Sequence, residues 1–349
     1  TPQPDLDPSL EPVSEIARGA SWIALGNIAS RVLGYVREAV KAGLFGTGAH
    51  VDALQLAWTV PLQVYDLVTG GVINSALVPV FSEYAAPGRD RRELWRLAGA
   101  VLALAAAGVS ALVALLILGA PYLVAILGRE HNAEAQTQAA DLLRLMLPAV
   151  VLMSLAGVLT SLLYALKRFS LPAFSTTVFN AGIVLATILL AGRLSVTAMA
   201  VGLLLGAALQ VALQIPGLRD GFSSLRFRLD LNHPGLRRVL KLYAPIVVST
   251  IISQLAIYFA LGVAWESEGA IGWMNYATTL YQLPLGLVGV AVSAAVLPTL
   301  ARQASAGQDV RPTLVQGLNL VLVLIVPATI ALFILAVPVV GTAFERGRF

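Results

Sequence analysis

The sequence predicts an all-α integral membrane protein, and three observations carry that prediction. Of the 349 residues, 58% are hydrophobic and only 12% charged, and the mean hydropathy is +0.81. A water-soluble domain carries about 25% charged residues, so this chain lacks the polar surface to cover a single hydrated globule. Its apolar stretches reach the roughly 20 residues a helix needs to cross a hydrocarbon layer. Strand-type alternation is absent, and lipid offers no partner to unpaired backbone groups, which leaves helices rather than a barrel.

Taken in order, the apolar stretches place nine spans near residues 20–45, 53–83, 97–127, 139–166, 171–192, 195–216, 239–264, 270–301 and 313–342. Several exceed the bilayer requirement, so tilts and kinks are expected, with Pro61, Pro148, Pro245, Pro284 and Pro327 as the kink points. Residues 1–17, acidic and proline-rich, read as a flexible tail. No basic segment with a short apolar core precedes the first span, so no cleaved signal peptide is expected.

Lysine and arginine fix the predicted direction. Fifteen of the 23 fall on the side shared by the N-terminus and the even-numbered loops, four on the other side, and four (Arg31, Arg37, Lys41, Arg144) within or at the ends of spans. That asymmetry puts the N-terminus in the cytoplasm. Nine spans then end the chain outside, and further helices beyond residue 349 are expected. The longest and most basic connection, residues 219–238, divides six helices from three. It reads either as a cytoplasmic linker meeting anionic headgroups or as a recruitment site for a cytoplasmic partner.

A charge at membrane depth costs about 2.5–3.5 kcal/mol on insertion scales and is expected to face a cavity or a partner. At 100° per residue, Asn27, Arg31, Gly34, Glu38 and Lys41 of the first span share one stripe about 80° wide, flanked by Arg37. Two readings are open: the charges neutralise one another or anchor a helix end, or Arg31, Arg37 and Lys41 against Glu38 form a hydrated, net positive wall. Guanidinium groups pair well with phosphate, so the second reading implies an anionic, phosphate-bearing substrate. Asp66 in the second span either pairs with the first or takes part in ion coupling.

Other chemistries find little support. The chain has no cysteine, and His50, His131 and His233 sit in three different loops, so no metal site is expected. No GxxxxGK[ST] loop exists, so energy is expected from the membrane potential or an ion gradient rather than from a cofactor or nucleotide. The basic balance marks orientation, and no nucleic-acid partner is expected. Glu130 and Glu134, or Glu266 and Glu268, are the outer-loop acids a wall-synthesis enzyme would need, and no aromatic groove accompanies them. The chain is therefore read as a non-enzyme.

The second and eighth spans share an early Pro-Leu and an Ala-x-x-Pro exit, aligning on Pro79 and Pro298 in the same orientation. Parallel repeats of this kind belong to two-lobed transporters. A chance match between Gly- and Ala-rich helices is the alternative.

The run SRVLGYVREAV (30–40), followed by FGTGAHVDAL (45–54), resembles the MurJ (MviN) family of lipid II flippases in the MOP transporter superfamily. Residues 276–302 and FERGRF (344–349) are similar to the same family. The resemblance implies a MOP-type two-lobed helical transporter with nine of fourteen transmembrane helices present: an N-lobe over 18–218, a linker over 219–238 and a partial C-lobe over 239–349. It implies movement of lipid II from the cytoplasmic to the outer leaflet of the bacterial inner membrane by alternating access, with cell-wall synthesis proteins as further partners. It also implies cavity roles for Arg31, Arg37 and Asp52. Tyr65 and Thr279 stand where the family commonly has basic residues, and Gln282 where it has an acid. Export of another polyprenyl-linked oligosaccharide, or a transport-inactive scaffold paralogue, are the alternatives.

Overall fold

The structure, a computed structural model, describes residues 11–45, 49–69, 73–127, 133–221, 225–264, short stretches between 281 and 303, and 308–339. The described residues are mostly helical, with no strand among them. In chain order they form α1 (Glu11–Phe45), α2 (Ala49–Thr69), a π-helical turn (Ile73–Leu77) and α3 (Val78–Ala85). Next come α4 (Arg91–Leu127), α5 (Ala133–Met146), α6 (Pro148–Ala165), α7 (Ser170–Ala173) and α8 (Ser175–Leu194). The series ends with α9 (Thr197–Gln214), a 3₁₀ turn (Ile215–Leu218), α10 (Pro234–Ala264) and α11 (Arg311–Ile334). Two compact units result, residues 1–252 and 253–349.

Local chemistry explains the breaks. The expected second span divides among α2, the π-helical turn and α3, and a π-helical turn relaxes the i→i−4 ladder where a helix must bend. Gly88, at φ +84, makes the turn into α4, where an Asp90 carboxylate oxygen accepts from the Arg92 N–H at 2.8 Å and Glu93 sits in the first turn. The expected fourth span is two helices meeting at Leu147, because Pro148 has no N–H to donate and starts α6 instead.

Among the described residues, five helical segments are long and apolar enough to cross a membrane, against nine spans expected: 91–126, 134–165, 175–194, 197–218 and 311–334. The charges of α1 and the division of the second span account for two of the four shortfalls; for the other two, the side chains of 254–264 and most of 270–301 lie outside the described residues. Pro298, and with it the proposed repeat, lies there too.

In the first unit, one core joins α2, α4, α5, α6, α8 and α9 through Trp58, Val113, Leu143, Val150, Ile183 and Met199. A second joins α3, α4, α6 and the start of α10 through Phe81, Trp95, Leu162 and Leu236. Helices α8 and α9 approach closely because Gly182, Gly202 and Gly206 face the contact: a Cβ on Gly182 would lie 2.7 Å from the Gly206 Cα, and one on Gly206 would overlap the Phe179 carbonyl. Large apolar side chains point outward instead on α4 (Leu115, Leu118, Tyr122) and α8 (Ile188, Leu189), as a lipid-facing surface requires. In the second unit, Gly317 of α11 faces Val296, and Val323, Phe333 and Ile334 are exposed.

Candidate functional site

Small residues set the position of α1. Gly26 meets the Ala173 carbonyl so closely that a Cβ would collide with it, and the Thr177 hydroxyl donates to the Gly26 carbonyl at 3.1 Å. Trp22 meets the Phe174 ring edge-on at 6.0 Å. One face of α1 is thereby fixed on α7 and α8, while Asn27, Arg31 and Glu38 remain exposed.

Toward its C-terminal end, α1 lines a cavity of about 280 Å³ with Arg37, Glu38 and Lys41; α2 supplies Leu54, Gln55, Trp58 and Leu62, and α9 supplies Met199. Arg37 is held on three sides. Its Nη1 donates to Asn180 Oδ1 at 3.0 Å, its Nη2 to Glu38 Oε1 at 3.0 Å, and its guanidinium lies 5.3 Å from the centre of the Trp58 ring, a cation–π contact. Lys41 pairs with the other Glu38 oxygen and donates to Gln55 Oε1 at 3.4 Å. The Arg37 and Lys41 side chains are each 20% exposed and Glu38 is 48% exposed. Two largely sheltered cations thus share one half-hydrated carboxylate, and the cavity keeps a surplus of one positive charge.

The remaining predicted residues distribute unevenly. Arg31 is exposed and makes no ion pair among the described residues. Glu38 answers Arg37 and Lys41, one residue and one turn away, rather than Arg31 on the same stripe. Asp66 is exposed and has no ion pair with α1 among the described residues, because α2 packs on α5 and α6 and leaves that side open. Tyr65 lies in a separate polar chamber of about 140 Å³ with Asn27, Thr160, Tyr164, Ser175 and Gln210. Asp52 falls in the first turn of α2, but its side chain, like Thr279 and Gln282, lies outside the described residues.

Sequence reasoning missed Trp58 and Gln55 as parts of the cavity, although Gln55, Trp58 and Leu62 recur at helical spacing on one face of α2. Asn180, the other missed residue, lies on α8. Its contact with Arg37 spans 143 positions and leaves no local signal. Among the described residues, no group of three His, Asp or Glu side chains could hold a metal ion.

The sequence pattern of the family described as "Lipid II flippase MurJ" matches residues 41–349. The Burkholderia cenocepacia protein "Lipid II flippase MurJ" is 31% identical over 335 residues, covering 92% of this chain and 64% of the relative. The Rhizobium meliloti "Probable lipid II flippase MurJ" is also 31% identical, over 92% of this chain and 62% of its own length. This chain therefore spans a little under two thirds of these curated relatives. In fold it is similar to a solved structure named "Lipid II flippase MurJ, inward closed conformation", with TM-score 0.70, 23% identity, and coverage of 94% of this chain and 68% of that one. A MOP superfamily transporter from Pyrococcus furiosus aligns with TM-score 0.71 at 16% identity over 96% of this chain and 74% of that one. The chain is a multi-pass membrane protein of MOP-type transporter fold, and it belongs to the MurJ family.

Proposed function

We propose that this chain moves lipid II, a lipid-linked peptidoglycan precursor, from the cytoplasmic to the outer leaflet by alternating access. The observation that carries the proposal is the sheltered surplus of positive charge at Arg37 and Lys41. Guanidinium and ammonium groups that are partly desolvated, Arg37 positioned by Asn180 and Trp58 and Lys41 by Gln55, suit a pyrophosphate, the one group of such a lipid that is strongly anionic. Arg31, exposed on the same helix and without an ion-pair partner among the described residues, offers a further donor along the path. Asp52, Tyr65, Thr279 and Gln282 belong to the same proposed substrate path, with Glu38 and Asp66 as charge-pairing or coupling acids.

The chain sits in the bacterial inner membrane with its N-terminus in the cytoplasm, as the arginine asymmetry supports. Residues 18–218 form the N-lobe, 219–238 the linker and 239–349 part of the C-lobe. Its partners are the lipid-linked oligosaccharide, the surrounding lipids and proteins of cell-wall synthesis. The potential acts on the surplus charge: one charge moved through 100 mV is worth about 2.3 kcal/mol, enough to return an empty positive cavity to its inward-facing state.

Complementation of a flippase-depleted strain tests the proposal. The unmodified protein should restore growth, and the Arg31→Ala/Arg37→Ala variant should fail while reaching the membrane at normal abundance. Full rescue by that variant overturns the pyrophosphate role. Failure of the unmodified protein, with transport of a different polyprenyl-linked oligosaccharide in vesicles, overturns the choice of cargo.

A further inference from the structure

The polar chamber beside Tyr65 is separate from the cationic cavity and is built from six helices: α1 (Asn27), α2 (Tyr65), α6 (Thr160, Tyr164), α7, α8 (Ser175) and α9 (Gln210). Two glutamines one turn apart on α9 behave differently there. Gln214 is fully buried and satisfied: Nε2 donates to the Ala156 and Gln210 carbonyls and to the Ser175 hydroxyl, and Oε1 accepts from the Thr160 hydroxyl at 3.1 Å. Gln210 is 8% exposed, and its Oε1 has no hydrogen-bond partner among the described residues. A buried acceptor left unmatched is destabilising unless a donor is delivered from elsewhere.

The lining narrows what delivers it. Among the described residues the lining offers phenols, hydroxyls and amides besides a few apolar groups and no charged side chain, so neither an anion nor a cation finds a counter-charge there. Arg31, one turn from Asn27, further disfavours a cation. A neutral group rich in hydroxyl and amide N–H donors fits. The chamber also has a definite place relative to the cationic cavity: Asn27 precedes Arg37 by ten residues of one helix, about 15 Å at 1.5 Å per residue, toward the N-terminal end of α1. A pyrophosphate held at Arg37 and Lys41 would leave the attached carbohydrate within reach of it.

Resting on the flippase reading, we propose that this chamber binds a neutral sugar or acetamido group of the lipid-linked headgroup, with Gln210 Oε1 accepting from it. The α1 wall is fixed on α7 at Gly26, and Tyr65 is the wall contributed by α2.

Binding of two probes to the purified protein tests this: polyprenyl pyrophosphate, and the same lipid carrying its disaccharide. The unmodified protein should favour the sugar-bearing lipid by about tenfold, the worth of one well-made hydrogen bond. Gln210→Leu should remove most of that preference, leave affinity for the bare lipid unchanged, and not lower the melting temperature, because it deletes an unmatched acceptor. Tyr65→Phe, which keeps the packing, serves as the second variant and should narrow the preference likewise. Equal binding of both lipids by the unmodified protein, or a preference that survives both substitutions, overturns this inference alone. A lowered melting temperature of Gln210→Leu with the preference intact identifies the chamber as a water-filled structural network and also overturns it. Binding of neither lipid overturns the flippase reading and this inference with it.

Discussion

Asn180 holds Arg37 from a second helix, and the strength of that contact can be worked from the structure. Asn180→Leu keeps the side-chain volume close but removes the acceptor that Arg37 Nη1 meets at 3.0 Å. It also removes the Asn180 Nδ2 donations to the Thr176 carbonyl at 3.1 Å and the Ser30 carbonyl at 3.5 Å. A hydrogen bond to a charged group is worth about 1.5–3 kcal/mol. Arg37 retains partial hydration at 20% exposure and keeps Glu38 and Trp58, so the lower end, about 1.5 kcal/mol, applies to the Arg37–Asn180 term. Because the single variant also loses the backbone contacts, the term must be isolated by a double-mutant cycle with Arg37→Met. Equilibrium unfolding in mixed detergent micelles would measure it. A coupling near 1.5 kcal/mol is expected, with transport reduced in Asn180→Leu although the protein remains folded. A coupling below about 0.5 kcal/mol, the level of independent sites, would refute the claim that α8 positions this guanidinium.

Other substitutions probe the same arrangement. Glu38→Gln raises the cavity charge by one and should tighten polyprenyl pyrophosphate binding several-fold, more at low than at high salt, as paired titrations would show. Gly206→Leu drives a side chain into the Phe179 carbonyl and should cost about 3 kcal/mol or abolish folding, read as loss of monodisperse protein on size exclusion. Gly26→Ala displaces α1 from α7, and reduced transport with an altered tryptophan emission from Trp22 is the expected result. The chain has no cysteine, so Arg228→Cys and Ser195→Cys report topology cleanly: in intact cells an impermeant maleimide should label position 195 and spare 228.

The helical membrane class was legible in composition and run length, since both follow from the bilayer's demand on every segment. The cationic character of α1 was legible for the same reason, because Arg31, Arg37 and Lys41 are costly at that depth unless they are used. What α1 packs against was not legible. The stripe set Arg31, Arg37 and Lys41 alike against Glu38, whereas among the described residues Glu38 is taken by Arg37 and Lys41 alone, and Asn180, which also holds Arg37, lies on α8. Gln55, Trp58 and Leu62 have the spacing of any half-buried helix face, so sequence offered no reason to prefer them. Gln210 and Gln214 are alike in type and lie one turn apart; only the packing of α6 and α8 around α9 satisfies one and leaves the other with an open acceptor.

The central claim is that the cationic cavity at Arg37 and Lys41 carries a lipid-linked pyrophosphate across the bilayer. Its most direct test is the rate of transbilayer movement of fluorescent lipid II in proteoliposomes with an imposed inside-negative potential. Movement well above that of protein-free vesicles, lost in the Arg31→Ala/Arg37→Ala variant and slowed when the potential is collapsed, is the predicted result. Movement that continues undiminished in that variant would contradict it.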